Sequence, residues 1–74
     1  MKRILIVDDH AVVRHGLQLA CEHNGFEVIA SLPTIAEARS AIAALNPQIV
    51  VVDINLPDGS GFELIQWIRK INDT

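Results

Sequence analysis

Ile49-Val50-Val51-Val52-Asp53-Ile54-Asn55-Leu56-Pro57-Asp58-Gly59-Ser60-Gly61 is the stretch that decides the fold: four apolar residues run straight into a carboxylate and then into a turn-forming segment. An apolar run without polar alternation predicts a strand covered on both faces, in the middle of a parallel sheet. Asp53 then stands where that strand runs out. Open α/β sheets bind ligands outside the carboxyl ends of their strands.

Working outward, Ile4-Leu5-Ile6-Val7 repeats the pattern and is closed by Asp8 and Asp9, a second interior strand ending in acid. From Ala11 the spacing changes. Val13, Leu17, Ala20 and Cys21 recur at three and four residues, predicting a helix over 11–24 that stops at Asn24-Gly25, where glycine supplies the left-handed cap. Phe26-Glu27-Val28-Ile29-Ala30 is the most polar strand candidate, which places it at a sheet edge and sets the order 2-1-3. Thr34 and Glu37 read as a capping box whose members satisfy each other's backbone donors, followed by a buried stripe of Ala38, Ala41, Ile42 and Leu45 that ends at Asn46-Pro47. After the strand at 48–53 and a Pro57/Gly59 turn, a second box at Ser60 and Glu63 opens a third helix, with Leu64, Ile65, Ile68 and Ile71 turned inward. The expected fold is α/β, a doubly wound parallel sheet of βαβαβα order. Right-handed crossovers put helix one on one face and helices two and three on the other. Asp8, Asp9 and Asp53 then converge at one end.

Seventy-four residues make one domain at most, since typical domains run roughly 100–150 residues. Half the residues are apolar and a fifth are charged, an ordinary globular composition. The formal charge of −3 and the scatter of Lys2, Arg3, Arg14, Arg39, Arg69 and Lys70 exclude a phosphate-backbone contact stripe. The single cysteine, Cys21, cannot form an intrachain disulfide and reads as a small buried apolar residue, which fits a reducing compartment. The opening Met1-Lys2-Arg3 and its short apolar run imitate a signal peptide but end in two aspartates. No run approaches the ~20 apolar residues of a membrane span, so a cytoplasmic protein without membrane partners is expected.

Three converging carboxylates raise one another's proton affinity, so the cluster is destabilising unless a cation or shared protons offset it. Oxygen ligands without histidine or cysteine at zinc spacing favour a hard ion. Mg²⁺ commonly accepts carboxylates, carbonyls, waters and a phosphate oxygen. Such a site is half-built for phosphoryl chemistry, because a carboxylate can itself be the nucleophile.

The segments Val7-Asp8-Asp9-His10 and Asp53-Ile54-Asn55-Leu56-Pro57-Asp58-Gly59-Ser60-Gly61 resemble the response-regulator receiver family, collinearly over all 74 residues. Asp-Asp-His and the Val12-Val13-Arg14-x-Gly16-Leu17 start of helix one are most similar to NarL/FixJ-type transcriptional regulators, although their usual proline after the histidine is Ala11 here. The resemblance implies a truncated flavodoxin-like receiver fold, with residues 1–74 as the N-terminal three-fifths of the domain. It implies Asp53 as phosphoacceptor, Asp9 and Asp53 as Mg²⁺ ligands, the backbone carbonyl of Asn55 as a third ligand, and Asp8 acting through water. Pro57, Gly59 and Gly61 shape the loop that presents that carbonyl. The phosphate would come from a sensor histidine kinase or a small phosphodonor. Receivers also carry a serine or threonine after a fourth parallel strand and a lysine after a fifth; this sequence stops after helix three. Lys70 is no substitute, standing on the order of 15 Å along the helix from the site at 1.5 Å per residue. Lys2 and Arg3 lie at the wrong end of their strand.

Blander readings stand beside these. Asp8 and Asp9 could simply cap a helix. Asp58 reads as a solvated turn residue outside the site. His10 reads as a first-turn residue next to the site, His15 and His23 as surface, Arg14 as an exposed helix charge, and Trp67 as core or rim packing. The leading function is a phosphorylation switch, not a conventional enzyme, with self-catalysed phosphotransfer to Asp53 in the intact receiver and an output in transcription. DNA would be reached only through an output domain outside these residues, and a homodimer is expected. The alternative is a fragment inactive in phosphotransfer that acts as a dimerisation module, because strand three lacks an outer neighbour and the face under helix one lacks a covering helix. A haloacid-dehalogenase-type phosphatase ranks last, since it places two aspartates two residues apart on one strand.

Overall fold

The computed structural model describes residues 1–72. In chain order the elements are β1 (Arg3–Val7), α1 (Ala11–His23), β2 (Glu27–Leu32), α2 (Ile35–Leu45), β3 (Ile49–Val52), β4 (Asn55–Leu56), β5 (Gly59–Ser60) and α3 (Gly61–Asn72). The first three strands form a parallel sheet in the order β2-β1-β3, as the patterning predicts, and β4 and β5 form a separate two-stranded hairpin that it does not. β1 and β3 run in unbroken register from Ile4 opposite Ile49 to Val7 opposite Val52. β2 pairs with β1 through an irregularity between Ile4 and Leu5, which lets the edge strand carry one extra residue.

Period-two alternation assigns the faces. Leu5 and Val7 belong to a buried cluster with Ile35, Ala38, Ile42, Leu56 and Leu64, so α2, α3 and the hairpin cover one face of the sheet. Ile4 and Ile6, equally buried, point to the other face, where α1 packs over β1 and β2. The strand covered on both faces is therefore β1. The run Ile49–Val52, expected in the middle of the sheet, is only half-buried along its length because nothing pairs with its outer edge among the described residues.

The helix boundaries have local causes. α1 ends with Asn24 and a Gly25 at φ +86°, a left-handed conformation that costs glycine little. α2 ends with Asn46 in the left-handed region, its amide reaching the Ile42 carbonyl, and Pro47 follows. Thr34 Oγ1 accepts from the Glu37 amide at 3.2 Å, but the Glu37 carboxylate returns to the threonine hydroxyl, not to its backbone N–H, so half of the expected box forms. At α3, Ser60 Oγ accepts from the Phe62 amide rather than from Glu63. The buried stripes are shorter than expected. Leu45 and Ile71 are exposed, while Leu64 is sealed and Ile65 and Ile68 are half-buried. Cys21 is half-buried, not buried, and α1 has no fully buried residue.

Candidate phosphoacceptor site

Two adjacent strand ends build the site. The Asp8 amide donates to the Leu32 carbonyl at 3.0 Å and the Asp53 amide to the Val7 carbonyl at 2.9 Å, so both aspartates are fixed by the last rungs of the sheet. Carboxylate oxygens of Asp8, Asp9 and Asp53 and a ring nitrogen of His10 all lie within 4.8 Å of one another. The three acids singled out in the sequence thus come together, and His10 joins them.

Asp8 is buried at 7% exposure, a costly place for a carboxylate unless it is paired. Its Oδ1 accepts the His10 amide at 2.8 Å, an Asx turn that steers the chain from β1 into α1. The aspartates do not cap α1; His10 holds the N-cap position without a side-chain cap. The His10 ring instead places Nδ1 3.1 Å from Asp8 Oδ1 and 3.0 Å from Asp9 Oδ1. The hydrogen bond to Asp8, and then the charge of Asp9, raise the His10 pKa above its ordinary value. Arg14, expected as an exposed charge, is half-buried and donates Nη1 to the Asp8 carbonyl at 2.8 Å, tying the first turn of α1 to the end of β1.

The loop after Asp53 is shaped by its glycines. A Cβ on buried Gly61 would collide with the Asp53 carbonyl and come within 2.9 Å of Val52 Cγ1, so only glycine lets α3 start against the end of β3. The Gly61 amide closes the loop on the Ile54 carbonyl at 2.7 Å. Asn55 lies in the first strand of the hairpin, paired with Ser60. Asp58 lies outside the acidic cluster as expected, yet it is no idle turn residue. Its two carboxylate oxygens accept from the Ile35 and Ala36 amides, and those bonds lower its pKa. Lys70, His15 and His23 are exposed and outside the cluster, and Arg3 is bonded at the far end of the sheet to the Asn46 carbonyl. Trp67 is half-buried against the core, with the Arg39 guanidinium 5.5 Å over its ring.

The donor set fits a hard divalent cation, being three carboxylates of which Asp8 is buried, Asp53 half-buried and Asp9 open to water. Among the described residues no helix is long and apolar enough to cross a membrane.

Comparisons with known proteins agree with this arrangement. The chain is similar to the transcriptional regulatory protein YdfI of Bacillus subtilis, 39% identical over 75 residues that span 100% of this chain and 35% of that protein. Of solved structures, it superposes at TM-score 0.92 and 35% identity on a LuxR-family two-component response regulator from Aurantimonas, covering 99% of this chain and 53% of that one. It superposes at TM-score 0.90 and 36% identity on the MaeR response regulator bound to beryllium trifluoride, covering 97% and 60%. The chain spans about a third of the length of the curated relative. A family profile described as the response regulator receiver domain matches residues 4–74, and the chain belongs to that family of two-component receivers.

Proposed function

We propose that Asp53 is the phosphoacceptor of a Mg²⁺-dependent switch, and that residues 1–74 supply the first three of five parallel strands of a receiver that controls transcription. The observation that carries the reading is the acidic cluster itself: carboxylates from the ends of two neighbouring strands within 4.8 Å, one of them on the half-buried Asp53. Asp9, Asp53 and the Asn55 carbonyl would hold the cation, with Asp8 acting through water. The bound ion would neutralise charge on the transferring phosphoryl group. An Asp53 carboxylate oxygen attacks the phosphorus. The new O–P bond forms as the donor's P–N bond in a phosphohistidine, or P–O bond in an acyl phosphate, breaks, and the leaving imidazole or carboxylate takes the electron pair. The bond from the His10 amide to Asp8 Oδ1 holds that carboxylate oriented beside the nucleophile.

The partner is a sensor histidine kinase or a small phosphodonor. DNA contact belongs to an output domain outside these residues, in a cytoplasmic, dimeric regulator. That YdfI is a transcriptional regulatory protein of which this chain spans 35% supports an output domain beyond the receiver, and a beryllium trifluoride complex of MaeR supports an anion-accepting site. These likenesses favour the switch over an inactive dimerisation module.

The test is acetyl phosphate with Mg²⁺, read by intact mass on the 74-residue chain, on a form extended to five strands, and on Asp53→Asn of each. One phosphoryl adduct on the extended form, absent from its Asp53→Asn variant, is the expected result. An adduct retained in Asp53→Asn would sink the assignment.

A further inference from the structure

Asp58 sits in the turn of the β4–β5 hairpin, and its carboxylate reaches a segment remote in sequence. Oδ1 accepts from the Ile35 amide at 2.9 Å and Oδ2 from the Ala36 amide at 3.0 Å. The first turn of α2 has three amides without a helical partner, because the Ala38 amide already reaches the Thr34 carbonyl. Thr34 takes the third, that of Glu37. Two of the three are therefore held by a side chain on the site loop. The contact is charge-assisted and lies at the positive end of the helix.

Packing runs along the same line. Ile35 and Leu56, the latter next to Asn55, share one buried cluster. A Cβ on Gly59, which has φ +150°, would come within 3.0 Å of Ile35 Cδ1, so the turn lies directly on α2. Strands of two residues are too short to hold a hairpin by their own bonds. The loop needs an outside anchor, and Asp58 is its polar one.

We propose that Asp58 is a positioning residue for the phosphoacceptor site: by gripping the Ile35 and Ala36 amides it holds the Asn55 segment in place for the cation, and it makes the start of α2 respond to occupancy of the site. The proposal rests on the reading of Asn55 as a ligand. A cap serving α2 alone has no need to come from the site loop, and Thr34 already supplies a local one.

The experiment is a Mg²⁺ titration of wild type, Asp58→Ala, Asp58→Asn and Thr34→Ala, followed through the Ile35 and Ala36 amide resonances. Thr34→Ala weakens the same helix start without cutting the anchor. Asp58→Ala is expected to weaken Mg²⁺ binding by about fivefold or more, the low end of coupling between two sites. Asp58→Asn, which keeps one acceptor oxygen, falls between, and Thr34→Ala leaves affinity unchanged. In wild type the two amides shift on adding Mg²⁺; in Asp58→Ala they do not. Unchanged affinity in Asp58→Ala, or an equal loss in Thr34→Ala, would overturn the proposal and leave Asp58 a helix cap. If Asp58→Ala does not fold, Asp58→Asn decides by the same readings. If wild type takes no Mg²⁺, it is the functional reading that fails. The anchor is then judged by hydrogen exchange at the Gly61 amide. Protection lost in Asp58→Asn and kept in Thr34→Ala upholds it, and equal protection overturns it.

Discussion

The two faces of the sheet are unequally covered. Under α2 and α3, seven residues from Leu5 to Leu64 form one buried cluster, with Trp67, Ile68, Val50 and Val52 packed around it. Under α1, Ile4 and Ile6 are buried, yet none of the helix's own side chains is, and Val12 (86%), Val13 (47%) and Leu19 (54%) stand exposed. The acidic site straddles this divide. Asp53 closes β3, whose Val50 and Val52 pack on the buried cluster, and its carbonyl lies against Gly61, while Asp8, Asp9 and His10 form the entry to the loosely packed helix. Polar contacts hold that second corner where apolar packing does not: the Asx turn of Asp8 and the Arg14 guanidinium on the Asp8 carbonyl. A cation shared by both corners would therefore join a rigid half to a soft one.

The contrast can be broken by substitution. Leu64→Ala empties a fully sealed position and should cost ~2–5 kcal/mol in urea denaturation. Val12→Ser, on the exposed face, should stay within ~0.5 kcal/mol. Comparable losses would mean that the faces are equally packed. Gly61→Ala comes next, with an expected ~1–3 kcal/mol from forcing a Cβ against the Asp53 carbonyl, seen in the same assay together with a displaced Asp53 amide resonance. Arg14→Ala removes one partly buried hydrogen bond and should cost ~1 kcal/mol. Faster hydrogen exchange confined to the amides of α1 would place that loss on the soft side.

The smallest effect is a pH dependence. The Ile35 and Ala36 amides depress the Asp58 pKa in the fold, so its contribution to stability is present above the unfolded carboxylate value and is lost as pH falls through the folded one. Acid titration of wild type should steepen over that window relative to Asp58→Asn. Parallel curves would show that the carboxylate is not anchored in solution.

Much of this was legible before the structure. Apolar runs closed by Asp8 and Asp53 define parallel strand ends, and the edge character of the Glu27 strand orders them, so the acids meet as expected. Helical periodicity tells which side of a helix turns inward but not whether anything lies there. Ile71 lines an open groove with Ile42, Pro47, Val50 and Ile68, and the α1 stripe stays half-wet. Asp58 is the exposed turn residue its sequence suggests, but its anchoring contacts are not legible there, because its partners are backbone amides 22 and 23 residues away and an amide leaves no mark in the sequence. Arg14 spans only six residues to the Asp8 carbonyl, a distance that the first turn of a predicted helix already suggests.

The central claim, that the two strand ends share one cation, is tested most directly by following the amides of Asp9 and Asn55 through a Mg²⁺ titration. Both resonances are expected to move with a single midpoint, and both responses to vanish in Asp53→Asn. Movement at one corner only, or no saturable response at either, would contradict the account.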